Sequence, residues 1–207
     1  TIFRKPNGTW IRTSSGDGGH AVIDQSATDT ANVSVYHTIY FTFDNDMTNP
    51  DSTMNGYYVT TGAAGVESSS WTPRGCFQFN TTGNGISCTA TDNVSLMYPP
   101  LEQGPGNPNT IYYGTDRLFR SDNTGATHAL VSQNPVEPGV PITAIAVSPQ
   151  DDNARIVGLR NGGIWGTRVA STTLTNLDPA NVFQDYISRV VFDPQNPAIV
   201  YVALSKL

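Results

Sequence analysis

Ile142-Thr-Ala-Ile-Ala-Val-Ser-Pro149 and Ile187-Ser-Arg-Val-Val-Phe-Asp-Pro194 are two copies of one pattern, 45 residues apart. Each enters a polar turn and then a second apolar run, Ala154-Arg-Ile-Val-Gly158 in one and Ala198-Ile-Val-Tyr-Val202 in the other. A third copy lies upstream, where Val94-Ser-Leu-Met-Tyr-Pro99 leads through Gly104-Pro-Gly-Asn-Pro-Asn109 to Thr110-Ile-Tyr-Tyr113. A period of this length made of short β-like runs is the mark of a propeller blade, a four-stranded sheet that cannot bury its faces alone. The expected class is all-β, a partial β-propeller holding about three to four blades of a larger one. A small closed β domain whose repeats only imitate blades is the competing architecture.

Composition agrees with many short strands. Charged residues make up 14% of the 207, against 19 glycines and 14 prolines, which suits turns and suits long surface helices poorly. A net charge of −6 with eleven scattered basic residues argues against nucleic acid, since phosphate binding needs clustered Lys and Arg. No apolar run of about 18 residues is present, so no membrane span is expected. The chain opens Thr1-Ile-Phe-Arg-Lys-Pro6 and stops at Ser205-Lys-Leu207 just after a strand. Both ends read as cut or processed, and the remaining blades are expected in a parent chain or another subunit.

Three regions are expected: a degenerate blade over 1–43, an insertion over 44–92, and regular repeats over 93–207. Asn7-Gly8 signals a hairpin ahead of Thr9-Trp-Ile-Arg-Thr13. The strand His20-Ala-Val-Ile-Asp24 and the long run Val33–Phe43 follow. The insertion is rich in Asn, Gly, Ser and Thr and carries both cysteines, Cys76 and Cys88. A disulfide closing this polar loop would stabilise by about 3 kcal/mol, with free thiols as the alternative. A metal site would need two more ligands, and no His or Cys lies nearby. The cysteine pair and the low lysine content favour an extracellular or periplasmic location.

The regular part resembles the sialidase-type, Asp-box (BNR-like) repeat propellers. Phe192-Asp-Pro-Gln-Asn-Pro-Ala-Ile-Val-Tyr201, Asn107-Pro-Asn-Thr-Ile-Tyr-Tyr-Gly-Thr-Asp116 and Leu118-Phe-Arg-Ser121 carry the likeness. Ser121-Asp-Asn-Thr-Gly-Ala-Thr-His128 occupies the box position, with Asn123 at the usual Asp and His128 at the usual Trp. Gly166-Thr-Arg-Val-Ala-Ser-Thr-Thr173 has lost the box. The resemblance implies fold more than activity, because sialidases, xyloglucanases, sorting receptors and non-enzymatic secreted proteins share it. In physical terms the box is a hairpin staple, with side-chain oxygens accepting backbone N–H groups across a tight turn.

Glycoside hydrolysis needs two carboxyl groups facing across a cleft. Asp17 in Gly16-Asp-Gly-Gly19 and Asp116 in Gly114-Thr-Asp-Arg117 are weak catalytic candidates among Asp24, Asp185 and Asp193. The structural alternatives are a turn cap for Asp17 and a salt bridge to Arg117 or Arg120 for Asp116. Spacing assigns no acid pair. The three glutamates, Glu67, Glu102 and Glu137, sit in loop-like contexts, and the Arg-Ile-Pro opening of sialidases is missing. Trp71, in the insertion, is the best exposed candidate for stacking a sugar, with His20 and Arg117 as further ligand-binding candidates. His20, His37 and His128 show no metal-ligand spacing, and no metal or cofactor is expected. Asn7, Asn32, Asn80 and Asn93 begin glycosylation sequons, which matter only in a eukaryotic source.

The expected function is a secreted binding or scaffolding module that recognises glycan or protein through rim loops. A glycoside hydrolase fragment whose acid–base pair is completed by missing blades is the alternative, and structural surface or filament assembly a second.

Overall fold

A computed structural model describes residues 1–5, 7–14, 18–24, 26–28, 31–39, 55–76, 85–86, 96 and 98–205. The described residues are strands joined by turns, with one six-residue helix. The chain begins with a hairpin, β1 (Ile2–Arg4) and β2 (Trp10–Arg12), with Ile2 opposite Arg12 and Arg4 opposite Trp10. Its turn is at the Asn7-Gly8 signal: Gly8 has φ +87° and donates its N–H to Lys5 O at 2.9 Å. Positive φ at this point is what glycine supplies without steric cost.

Three four-stranded antiparallel sheets follow, each ordered as in the chain. The first is β3 (Gly18–Ile23), β4 (Ser34–Ile39), β5 (Asn55–Thr61) and β6 (Thr72–Cys76), with α1 (Gly62–Glu67) between β5 and β6. The second is β7 (Leu101–Gln103), β8 (Ile111–Gly114), β9 (Leu118–Ser121) and β10 (Ala129–Leu130). The third is β11 (Ile142–Ser148), β12 (Asp151–Leu159), β13 (Ile164–Thr167) and β14 (Thr175–Asn176). The last sheet has two strands, β15 (Tyr186–Phe192) and β16 (Val200–Ser205). First strands pack side by side, β3 on β7, β7 on β11 and β11 on β15, so the sheets meet along their first, inner strands.

Three apolar clusters fill the spaces between successive sheets. Ile111 and Tyr113 join Tyr36, Tyr57 and Leu101 on one side of the second sheet, while Tyr112 joins Ile142, Ile145 and Val157 on the other. Likewise Ala144, Ala146 and Ile156 face Ile187 and Val190. Neighbouring residues thus enter opposite cores, and a sheet covered on both faces reads as a continuous apolar run. A fully buried Leu or Ile contributes roughly 1.5–3 kcal/mol. The third and fourth sheets approach so closely that a Cβ on Gly158 would stand 2.3 Å from Ile187 Cγ2.

Two boundaries differ from the sequence expectation. Within 44–92, expected as an insertion, residues 55–76 form β5, α1 and β6 and complete the sheet that β3 and β4 begin. The first strand of the second sheet is Leu101–Gln103 rather than the Val94–Pro99 run, of which Val94, Ser95 and Met97 lie outside the described residues. The Asn-Pro turn sets this register. Gly104 N bonds Thr110 O (3.1 Å) and Thr110 N bonds Asn107 O (3.0 Å). Asp193 N bonds Ile199 O (3.0 Å) and Ile199 N bonds Asn196 O (2.9 Å) in the same way. Counting back from Asn107 and Asn196 brings Leu101 into line with Val190.

Candidate ligand clefts

A cleft of about 470 Å³ opens between the β1–β2 hairpin and the first sheet, lined by Arg12, Ser14, His37, Tyr58, Ser69 and Trp71, with Thr13 behind them. Strand pairing builds its aromatic wall, because His37 on β4 stands opposite Tyr58 on β5. Their rings meet edge-on at 5.6 Å. Trp71 stacks on His37 at 4.2 Å with 25° between planes, and its Nε1 donates to Thr13 O at 3.0 Å. His37 Nδ1 is 2.6 Å from Thr1 Oγ1. Burial, aided by the N-terminal ammonium, lowers the His37 pKa to about 4, so the ring is neutral near pH 7. Flat rings beside a guanidinium and two serine hydroxyls are the chemistry that holds a sugar: C–H faces stack and hydroxyls find partners.

A second cleft, about 350 Å³, lies between the β3–β4 turn and the β7–β8 turn, where Asp24, Ser26, Glu102, Gln103 and Asn107 are among the lining residues. Asp24 is occupied as a cap, with Oδ1 accepting Ser26 N (2.8 Å) and Ser26 Oγ (2.6 Å). Glu102, on β7, has its pKa raised by burial, partly offset by Arg189 and the Gln103 N–H. Arg189 Nη2 on β15 lies 3.6 Å from Glu102 Oε2. His20, on β3, has its pKa lowered by burial first and by the Arg189 charge second. Three first strands therefore bring His20, Glu102 and Arg189 to one inner edge. Sequence reading placed Glu102 in a loop; the Asn107-Pro108 register was the signal that puts it on a strand.

His20 and His37 occupy adjacent strands but opposite faces: Ala21 pairs with His37, while His20 N donates to Thr38 Oγ1 at 2.9 Å. Among the described residues no group of three His, Cys, Asp or Glu side chains could hold a metal ion.

Asp116 and Arg117 share a buried ion pair, Arg117 Nη1 to Asp116 Oδ1 at 2.6 Å, in the β8–β9 turn. Arg117 Nε also donates to Asn134 Oδ1, and Asp116 O accepts Val136 N at 2.9 Å. Both residues anchor the link into β11, with side chains turned away from solvent. Asp193 is a turn staple, accepting Gln195 N (2.8 Å), Asn196 N (2.9 Å) and Tyr201 Oη (3.0 Å), bonds that lower its pKa. The Ser121–His128 hairpin is stapled as the sequence suggests: Asn123 Oδ1 accepts Thr127 N (3.0 Å), and Ser121 Oγ accepts Gly125 N (2.8 Å). Cys76 ends β6 fully buried, while Cys88 and Asp17 lie outside the described residues.

No protein-family model and no curated protein sequence matches the chain. Solved structures do. A GH74 enzyme of Niastella koreensis matches with TM-score 0.63 and 14% identity over 94% of this chain and 30% of its own. An ancestral GH74 enzyme matches with TM-score 0.55 and 21% identity over 91% of this chain. The outer coat vertex of COPII on membranes matches at TM-score 0.51 and 11% identity over 84%. The chain spans 22% and 30% of the length of the two GH74 enzymes. At these identities the likeness is one of fold: several antiparallel sheets, all-β, similar to the propeller-type glycoside hydrolases.

Proposed function

We propose that this chain is a glycan-binding segment of a GH74-like propeller, taking saccharide into the cleft between the β1–β2 hairpin and the first sheet. The supporting observation is Trp71, stacked on His37 at 4.2 Å in a cleft that also presents Tyr58, Arg12, Ser14 and Ser69. Saccharide stacks on the aromatic wall while Arg12 and the serines orient its hydroxyls. In this reading the protein acts outside the cytosol and further blades complete the propeller. Calorimetric titration with xyloglucan and sialylated oligosaccharides tests it. Binding of one class, weakened roughly tenfold by Trp71→Ala, is expected. Absence of binding to both, or binding indifferent to Trp71→Ala, contradicts it.

A second reading, glycoside hydrolysis, rests on Glu102. Its raised pKa suits a general acid, and Asp24 lines the same cleft. Release of reducing ends that disappears in Glu102→Gln while binding persists would favour hydrolysis.

A further inference from the structure

Between α1 and β6 the chain runs through Ser68, Ser69 and Ser70, whose backbone N–H groups close the helix. Ser68 N donates to Ala64 O (3.0 Å), Ser69 N to Val66 O (3.2 Å) and Ser70 N to Gly65 O (3.0 Å). The last two bonds are the paired closure that ends a helix when one residue turns left-handed. That residue is Ser69, with φ +56°. The turn delivers the chain to Trp71, whose indole stacks on His37.

Glycine does this backbone work without steric cost and is the residue most often found at such a position. Elsewhere the chain uses it so, at Gly8, Gly106, Gly125 and Gly162, all with positive φ. Three other residues enter the left-handed region without being glycine. Asn181 is of a type that tolerates it, and Thr124 directs its hydroxyl to Asn123 O at 2.6 Å. Ala170 shows that strain alone does not mark a site. Ser69 differs in what it faces: it is exposed and lines the cleft beside His37, Tyr58 and Trp71. Its hydroxyl bonds none of the described residues, whereas Ser68 Oγ donates to Gly65 O at 3.2 Å.

We propose that Ser69 is a ligand contact of this cleft, kept in strained backbone so that its hydroxyl hydrogen-bonds the saccharide stacked on the aromatic wall. The proposal rests on the glycan reading of the cleft. A hydroxyl both donates and accepts, which suits the hydroxyls and ring oxygen of a sugar. The turn that presents it also sets Trp71, so stacking and hydrogen bonding are held by one rigid element. The left-handed serine is then stability given up for placement of a functional group.

Ser69→Gly and Ser69→Ala separate the two effects. Glycine relieves the backbone and removes the hydroxyl, whereas alanine removes the hydroxyl and keeps the strain. Calorimetric titration with a xyloglucan oligosaccharide and a sialylated one, together with thermal melts, reads both. Each variant is expected to bind the oligosaccharide that wild type takes roughly fivefold more weakly. Ser69→Gly is expected to melt roughly 2–4 °C above wild type, and Ser69→Ala at the wild-type temperature. Wild-type affinity in both variants overturns this proposal and leaves the glycan reading standing. A wild type that binds neither oligosaccharide overturns both. Weaker binding without a higher melting temperature in Ser69→Gly overturns the claim that strain is kept for the contact.

Discussion

Glu102 Oε2 and Arg189 Nη2 lie 3.6 Å apart, one on β7 and the other on β15, past the intervening strand β11. This pair records the curvature that sets successive first strands around a common inner edge. Burial raises the Glu102 pKa, and the arginine restrains that rise. A carboxyl with a raised folded pKa adds stability below its unfolded value, near 4.5, and that increment is lost as pH rises through the folded value. Replacing Arg189 by Met is expected to raise the Glu102 pKa further, measured by carboxyl NMR titration. Glu102→Gln is expected to flatten the stability profile above pH 4.5.

His37 gives the opposite dependence. Its folded pKa of about 4 lies below the ordinary 6.5, so unfolding takes up a proton between those values. Its contribution is complete above about pH 6.5 and is lost as pH falls through about 4. Urea titrations at pH 7 and pH 5 are expected to show acid destabilisation that His37→Gln reduces. An equal drop in both proteins would place the titrating group elsewhere.

Tyr57 Oη meets His128 Nε2 at 2.8 Å, and the two rings cross edge-on. This contact ties the outer half of the first sheet to the hairpin of the second. Tyr57→Phe keeps the buried ring and loses the hydrogen bond, so a cost of about 1 kcal/mol in chemical denaturation is expected.

Gly158 and Gly106 separate packing from backbone strain. An added methyl on Gly158 meets Ile187, with its Cβ 2.7 Å away, whereas nothing lies within 4 Å of one on Gly106, whose φ is +72°. Gly158→Ala is expected to destabilise by about 1–3 kcal/mol through overpacking. Gly106→Ala should cost roughly 1 kcal/mol, from the left-handed backbone alone. Thermal melts of the two variants give the ranking.

We propose that Cys76 pairs with Cys88. Alkylation of the denatured, unreduced chain is expected to leave both thiols unmodified, and reduction to expose two. Reduction should lower stability by about 3 kcal/mol for a loop of this size.

The repeat made the sheets legible because both faces of each are buried, which turns alternation into apolar runs such as Ile142–Val147. Residues 55–76 were harder to read. Asn55-Gly-Tyr-Tyr-Val-Thr-Thr61 carries a strand pattern, but it lies in a polar segment off the 45-residue period. A salt bridge of Asp116 to Arg117 or Arg120 was one of the alternatives legible in the sequence, and the structure has the pair with Arg117, the adjacent charge in the tight turn. Glu102 and Arg189 were not foreseen as partners, because their meeting depends on the curvature of three sheets, which no local spacing encodes. Trp71 was singled out for exposure; its stacking on His37 depends on β4–β5 and β5–β6 pairing together, which the sequence left open.

The most direct measurement is a heteronuclear NMR titration of the chain with a xyloglucan oligosaccharide and, separately, a sialylated one. Saturable shifts with one ligand, centred on the Trp71 indole, Tyr58 and His37, are the expected result. Shifts confined to Glu102, Gln103 and Asn107, or no shift with either ligand, would contradict glycan binding in the hairpin cleft.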